Sequence, residues 1–253
     1  MTLVSDSTAT PRRTPDTRNS TPRKSTARPR TRDGLARPKT GEVRVRVGAL
    51  GLSSLGIQAA GLISAVGPEA GGFAPGDRVS YRTDLDASDY NALGTTPTGF
   101  SIVVPERDLI GFPKDVAVES AASYLPLGLV ARTVVKQLHS VGRGNRVAIA
   151  PDPSGADAFV AAWAVDLGAT VVDAGSNLAD VVVTEADYEA ARRWRYGNGL
   201  AQIAAADVFA EVRRGIFDDI AVTTYAFADA DRAHADLSER RAASPILLLP
   251  VAA

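Results

Sequence analysis

From Gly41 the chain alternates. In GEVRVRV, Val43, Val45 and Val47 fall on one side and Glu42, Arg44 and Arg46 on the other, the period of two that marks a half-buried strand. The stretches Ala60–Val66, Asp77–Tyr81 and Gly99–Val104 follow, separated by Gly, Pro and Asp in segments such as Gly67–Gly76. None has helical spacing, so they predict further short strands. Past Pro113 the apolar intervals lengthen. Ala121, Tyr124, Leu125, Leu129, Val130, Val134 and Leu138 predict one or two helices over Ala117–Leu138, interrupted near Pro126–Gly128.

Arg146–Ala150 is a continuous apolar run, Pro151–Gly155 a tight turn, Ala156–Leu167 a helix and Ala169–Val172 a second apolar run ending at Asp173. This order predicts a βαβ unit. Runs apolar on both faces indicate a parallel sheet covered by helices, whereas the first region reads as an antiparallel barrel or sandwich. Beyond it, Ala179–Val183 predicts a strand and Ala186–Trp194 and Ala204–Arg214 predict helices. Strands at Ile220–Tyr225 and Ile246–Leu249 then flank a helix at Asp229–Arg241.

Composition narrows the chemistry. The chain has 253 residues, 45% of them apolar, enough for one large domain or two modest ones. No apolar run reaches the roughly 18 residues that cross a bilayer, and a secretory leader is not expected, so the reading is a soluble, cytoplasmic protein. The absence of cysteine excludes disulfides, thiolate metal sites and cysteine nucleophiles. His139 and His234 are too far apart in sequence to suggest a zinc site, so no metal is expected. Neither G-x-S-x-G nor a phosphate loop of the G-x-x-x-x-G-K type occurs.

The net charge of −1 conceals an asymmetry. Residues 1–40 carry ten Lys/Arg against three Asp, leaving 18 basic and 26 acidic side chains on the rest. The body should therefore repel nucleic acid. Only the Thr-, Ser-, Pro- and Arg-rich tail at 1–40, read as disordered, offers a polyanion or an acidic partner a place to bind.

The stretches GEVRVRVGALGL, AGLISAVGPEAGGFAPGDRVSY, VVPERDLIGFPKDVAVESAASYLPLGLVARTVV, VAIAPDPSGADAFVAAWAVDLGATVV and YAFADADRAHADLSERRAASPILLLP resemble, in that order, the quinone-oxidoreductase branch of the medium-chain dehydrogenase/reductase superfamily. The resemblance implies an α/β protein: a GroES-like β-barrel domain over 41–125, completed by 222–253, and a shortened Rossmann-type parallel-sheet domain over 126–221. It also implies a cleft where a nicotinamide meets a substrate, and members that reduce quinones or α,β-unsaturated carbonyls with NADPH and no zinc. Members commonly pair, so a homodimer is an expectation.

The chain departs from that pattern where the cofactor should sit. The family's A-x-G-G-V-G turn, whose glycines let a diphosphate approach a helix N-terminus, is here Asp152-Pro153-Ser154-Gly155-Ala156-Asp157. Asp157 replaces the last glycine and would face a diphosphate; at an effective dielectric of about 20, like charges about 4 Å apart repel by about 4 kcal/mol before screening. Ser154 and Asp157 have the S-x-x-D spacing of a capping interaction, so the helix end is expected to supply its own anions. About twenty residues that line the family's substrate side are missing between Leu55 and Ala60, and Ser53 stands where the family's V-G-x-N stretch has Asn. Several strands and helices after Val183 are also missing.

These losses lead to the expectation of a cofactor-independent cyclase or isomerase that acts on a small apolar metabolite. The family's link to polyketide enoyl reduction suggests a natural-product intermediate. Candidate catalytic residues are Tyr81, Asp84 and Tyr90 from the segment around the third strand, Tyr124 from the junction helix, and Trp194 and Tyr196 from a cationic and aromatic cluster with Arg195. Two alternatives remain. One is an NADPH-dependent quinone or enone reductase, in which Ser154, Gly155 and Ala156 hold the diphosphate and Asp173 the ribose. The other is a non-catalytic scaffold that works through its basic tail.

Overall fold

The computed structural model describes residues 37–83, 100–193, 199–239, 241 and 245–250; the basic tail at 1–36 lies outside them. Val43, Val45 and Val47 are fully buried along β1 (Glu42–Ser53), as their alternation requires. This strand organises the first sheet. Its first half pairs antiparallel with β4 (Phe100–Pro105), its second half with β10 (Ile246–Leu249), and its other edge with β2 (Gly56–Val66) along nearly its whole length. Next to β2 come β3 (Arg78–Thr83) and the short β5 (Ile110–Gly111), while β9 (Thr223–Ala226) runs parallel to β10 at the far end. The last two strands of the chain thus return to the sheet that the first five begin.

Small residues on β1 make a seat for the long helix α1 (Val118–Arg132). A Cβ on Gly51 would lie 2.0 Å from the carbonyl oxygen of Ala122, so only glycine lets strand and helix approach this closely. Ala122 is also the residue whose carbonyl Pro126, four positions on, cannot reach, because proline has no N–H. The expected interruption near Pro126–Gly128 does not occur: α1 passes through Pro126 without a break, because its packing against β1, β2 and the later helices over-rides the local cost. The break comes afterwards, where Thr133–Leu138 adopts a π-helical turn. A division between 125 and 126 would therefore fall inside one continuous helix.

The second sheet has the order β7–β6–β8, all parallel, from β6 (Arg146–Ile149), β7 (Thr170–Val172) and β8 (Val181–Val183). Helix α2 (Ala156–Asp166) joins β6 to β7, and α3 (Glu185–Arg193) follows β8. Helices α4 (Leu200–Arg213) and α5 (Ala230–Ser238) complete the described elements. Two apolar clusters result. One fills the first sheet with Val43, Val45, Leu50, Val79, Ile102 and Leu248. The other joins α1 to the parallel sheet around Phe159, Trp163, Phe209 and Phe217.

Candidate functional site

In the parallel sheet the chain leaves β6 toward β7 on one side and comes back as β8 on the other. Such a reversal opens a crevice beyond the carboxyl ends of the strands, where ligands of open α/β sheets bind. The turn after β6, the segment after β7, the start of α3 and the side chains that α3 projects meet at this edge.

The turn is built around one carboxylate. Gly155, with φ +82°, brings its N–H within 2.9 Å of the Asp152 carbonyl and starts α2 at Ala156. The Asp152 side chain is fully buried. Its Oδ2 accepts from the N–H of Ser154 at 3.2 Å, from the Ser154 hydroxyl and, at a long 3.4 Å, from the N–H of Ala156. Its Oδ1 takes Nη2 of Arg192, delivered from α3 across 40 positions of sequence. The same Nη2 lies 3.3 Å from the Ser154 hydroxyl, and Nη1 donates to Glu189 at 2.7 Å. Burial pulls the Arg192 guanidinium down, but hydrogen bonds and charge from Asp152 and Glu189 outweigh it and hold Arg192 above its ordinary value.

The expected capping pair between Ser154 and Asp157 does not form. The N-cap position is Gly155, without a side-chain cap, and the Ser154 hydroxyl turns back to Asp152 instead. Asp157 is half-buried, and burial pushes its carboxyl above the usual range against the pull of N–H groups at 157, 158 and 152. Alongside, the Tyr188 hydroxyl donates to the Ala150 carbonyl at 3.1 Å, and burial first, then the charges of Asp157 and Asp152, drive its pKa upward. Asp187 accepts from the N–H and hydroxyl of Thr184, both at 2.7 Å, and lies 3.1 Å from Nε2 of His139.

A dinucleotide diphosphate seated in the family's manner needs the N–H groups at the start of α2 and room against the backbone. Here Asp152 takes the N–H groups of Ser154 and Ala156, and its carboxylate fills the anion position. As it stands, the turn does not fit a diphosphate at that seat. Asp173, exposed just beyond β7, lies at the same edge of the sheet. Among the described residues no three His, Asp or Glu side chains converge as a metal site, and no helix is long and apolar enough to cross a membrane.

Of the candidate catalytic residues, Tyr81 and Tyr124 lie among the described residues, and they are not brought together. Tyr81 is buried in the core of the first sheet, paired across from Ala59. Tyr124 packs instead in the second cluster, its ring 5.7 Å from that of Phe159 and 6.0 Å from that of Phe217. Burial, and then the charge of Asp218, raises its pKa. Packing within two separate cores explains why two tyrosines expected to share a cleft do not. Asp84, Tyr90, Trp194 and Tyr196 lie outside the described residues. Sequence reasoning gave Asp152 little weight and missed Arg192 and Tyr188. Only the carboxylate beside the turn left a local trace.

The same topology and its two sheets recur in solved structures. A mycobacterial quinone oxidoreductase matches over 87% of this chain and 94% of its own, with a TM-score of 0.64 at 20% identity. The Escherichia coli quinone oxidoreductase complexed with NADPH matches 87% of this chain and 95% of its own, again with a TM-score of 0.64, at 17% identity. The fold is one that these quinone oxidoreductases share. In sequence, the quinone oxidoreductase of Pseudomonas aeruginosa is 29% identical over 155 residues, 54% of this chain and 45% of the relative. The chain thus spans less than half the length of the curated relative that it matches. No family model matches it.

These likenesses correct two expectations. The cofactor-independent cyclase or isomerase reading is overturned by relatives and neighbours that are quinone oxidoreductases, and nothing in them supports a cyclase or a polyketide step. The expectation of no cofactor is overturned by neighbours in this fold solved with NADPH. Lost glycines do not by themselves remove a ligand class, because a fold can keep its ligand class while its binding turn changes.

Ser53 pairs directly with Gly56 across a two-residue turn, so β1 and β2 form a tight hairpin. The Ser53 hydroxyl accepts from the N–H of Leu55 at 3.2 Å and braces that turn.

Proposed function

We propose that this chain is an NADPH-dependent reductase of small conjugated carbonyl compounds, quinones or enones. The observation that carries this reading is the two-sheet architecture shared with a quinone oxidoreductase solved with NADPH; the sequence relationship over 155 residues supports it. The carboxyl edge of β6, β7 and β8 is the side on which a dinucleotide would lie, with Ser154, Gly155, Ala156 and Asp173 nearest to it. The turn does not receive the diphosphate as it stands, so no catalytic step is assigned to individual residues.

The test is mass balance. Full-length protein incubated with NADPH and a benzoquinone or a simple enone should consume NADPH and give a product that has gained two hydrogens. NADPH that stays unconsumed with every conjugated carbonyl offered, together with no detectable NADPH binding, would remove the reading.

A further inference from the structure

A groove of about 570 Å³ runs between α4 and the outer edge of the first sheet, where β3 and β5 lie. It shares no lining residue with the crevice beside β6. Sites for small molecules commonly enclose about 300–1,000 Å³, so the size suits one. Aromatic rings form its apolar lining. Phe112 and Phe209 are buried, with ring centroids 5.5 Å apart, and Phe73 is half-buried against β5. A Cβ on Gly111 would come within 3.0 Å of the Phe73 ring, so the glycine makes room for that wall. Gln202 fastens the opposite wall: its amide donates to the Gly111 carbonyl at 2.8 Å and accepts from the Gly111 N–H at 3.1 Å, which ties α4 to the strand.

The charged lining is mostly of one sign. Arg78, Lys114 and Arg213 line the groove against a single acid, Asp77, which is committed to its own turn by accepting from the Ala74 N–H at 2.8 Å. Arg78 is fixed through Nη1 to the carbonyl of Val116, a neutral partner that leaves its charge uncompensated. Arg213 reaches Asp115 at 2.7 Å, but both side chains are exposed and water screens the pair. Among the described residues Lys114 has no ion pair. This concentration of cations runs against the rest of the chain beyond residue 40, where 26 acids outnumber 18 bases. Rings bury a flat face, and cations bind an anion at its edge. We propose that the groove binds a small planar aromatic carboxylate, its ring system against Phe73, Phe112 and Phe209 and its carboxylate toward Arg78, Lys114 and Arg213. A bare inorganic anion would leave the rings uncovered, and a neutral aromatic would leave the cations unpaired. The inference is independent of the reductase reading.

The experiment titrates the full chain with naphthoate and, as its neutral counterpart, naphthol, following probe fluorescence. Naphthoate should bind with a Kd below about 1 mM, and about tenfold more tightly than naphthol, the factor that a charged hydrogen bond supplies. Ala206 lines the groove from the exposed side of α4, so Ala206→Phe places a ring in it and should abolish binding. Lys114→Ala should weaken naphthoate about threefold and leave naphthol unchanged, with thermal unfolding as in the wild type. A wild-type chain that binds no naphthoate, or binds naphthol equally well, overturns the inference and leaves the reductase reading standing. Full binding by Ala206→Phe also overturns it, because the probe then sits elsewhere, the crevice beside β6 included. Should Ala206→Phe fail to fold, Lys114→Ala decides, and naphthoate binding equal to the wild type's would sink the proposal.

Discussion

The two sheets use the same residue types in different ways. In the first, long strands alternate, and Val43, Val45, Val47 and Val79 have no exposed surface. In the second, three short strands are almost entirely valine, alanine and isoleucine, yet Val171 is 38% and Val182 49% exposed. A parallel sheet normally has helices on both faces. Among the described elements this one is too narrow, and too sparsely covered, for that. The difference teaches that apolar composition marks a strand as fit for burial, while the number of neighbouring layers decides whether burial happens. The large sheet holds the fold, and the small one carries the crevice.

The contrast is broken most severely at the aromatic cluster beneath the small sheet. Phe217 is fully buried, with ring centroids 4.9 Å from Phe159 and 5.9 Å from Trp163. Phe217→Ala should cost about 4 kcal/mol in urea unfolding, because the transfer and cavity terms add. Fluorescence from Trp163 should show whether the α/β half loosens first. A loss below about 1 kcal/mol would mean that the cluster contributes little.

Next come matched truncations in the two sheets. Leu50→Ala on β1 should cost about 3 kcal/mol, and Val182→Ala on β8 less than about 0.5 kcal/mol, in the same denaturation experiment. Equal costs would show that β8 is covered in solution.

The smallest effect is electrostatic. Asp180 and Arg146 clasp the entry of β8 to that of β6, with contacts of 2.9 and 3.2 Å. The Arg146 side chain, then its backbone N–H, lowers the Asp180 carboxyl from 3.8 to about 2. A depressed acid stabilises the fold above its unfolded value and loses that contribution as pH falls through the folded one. Wild-type stability should thus decline between about pH 4 and about pH 2 slightly more steeply than that of Asp180→Asn, as read by thermal unfolding. Both residues are exposed, so the difference is modest and shrinks further in salt. Parallel acid profiles would remove the clasp as a contributor.

Much of the fold was legible because its signals are local. The alternation at Val43–Val47 and the strand–turn–helix–strand order over Arg146–Val172 needed only the periodicities of strand and helix. The helix through Pro126 was not legible. The cost of proline is local, but the packing that outweighs it comes from β1, β2 and helices far away in sequence. The site was legible in part. An acidic, glycine-poor turn was evident, and with it the idea that the helix end supplies its own anions. Which acid does so depended on side-chain direction: Asp152 faces inward to the N–H groups, while Asp157 remains beside them, half-buried.

By itself the sequence determined the segments, their order, the lack of thiol chemistry and the unusual acidity of the turn after β6, since each follows from residue type and short-range spacing. Only the tertiary structure decided that Asp152 and Arg192 meet, that Tyr81 and Tyr124 do not, and that Val171 and Val182 remain partly in water. Those outcomes depend on which elements become neighbours. Pairing β8 beside β6 sets α3 against the turn, and this contact is fixed by the packing of whole layers.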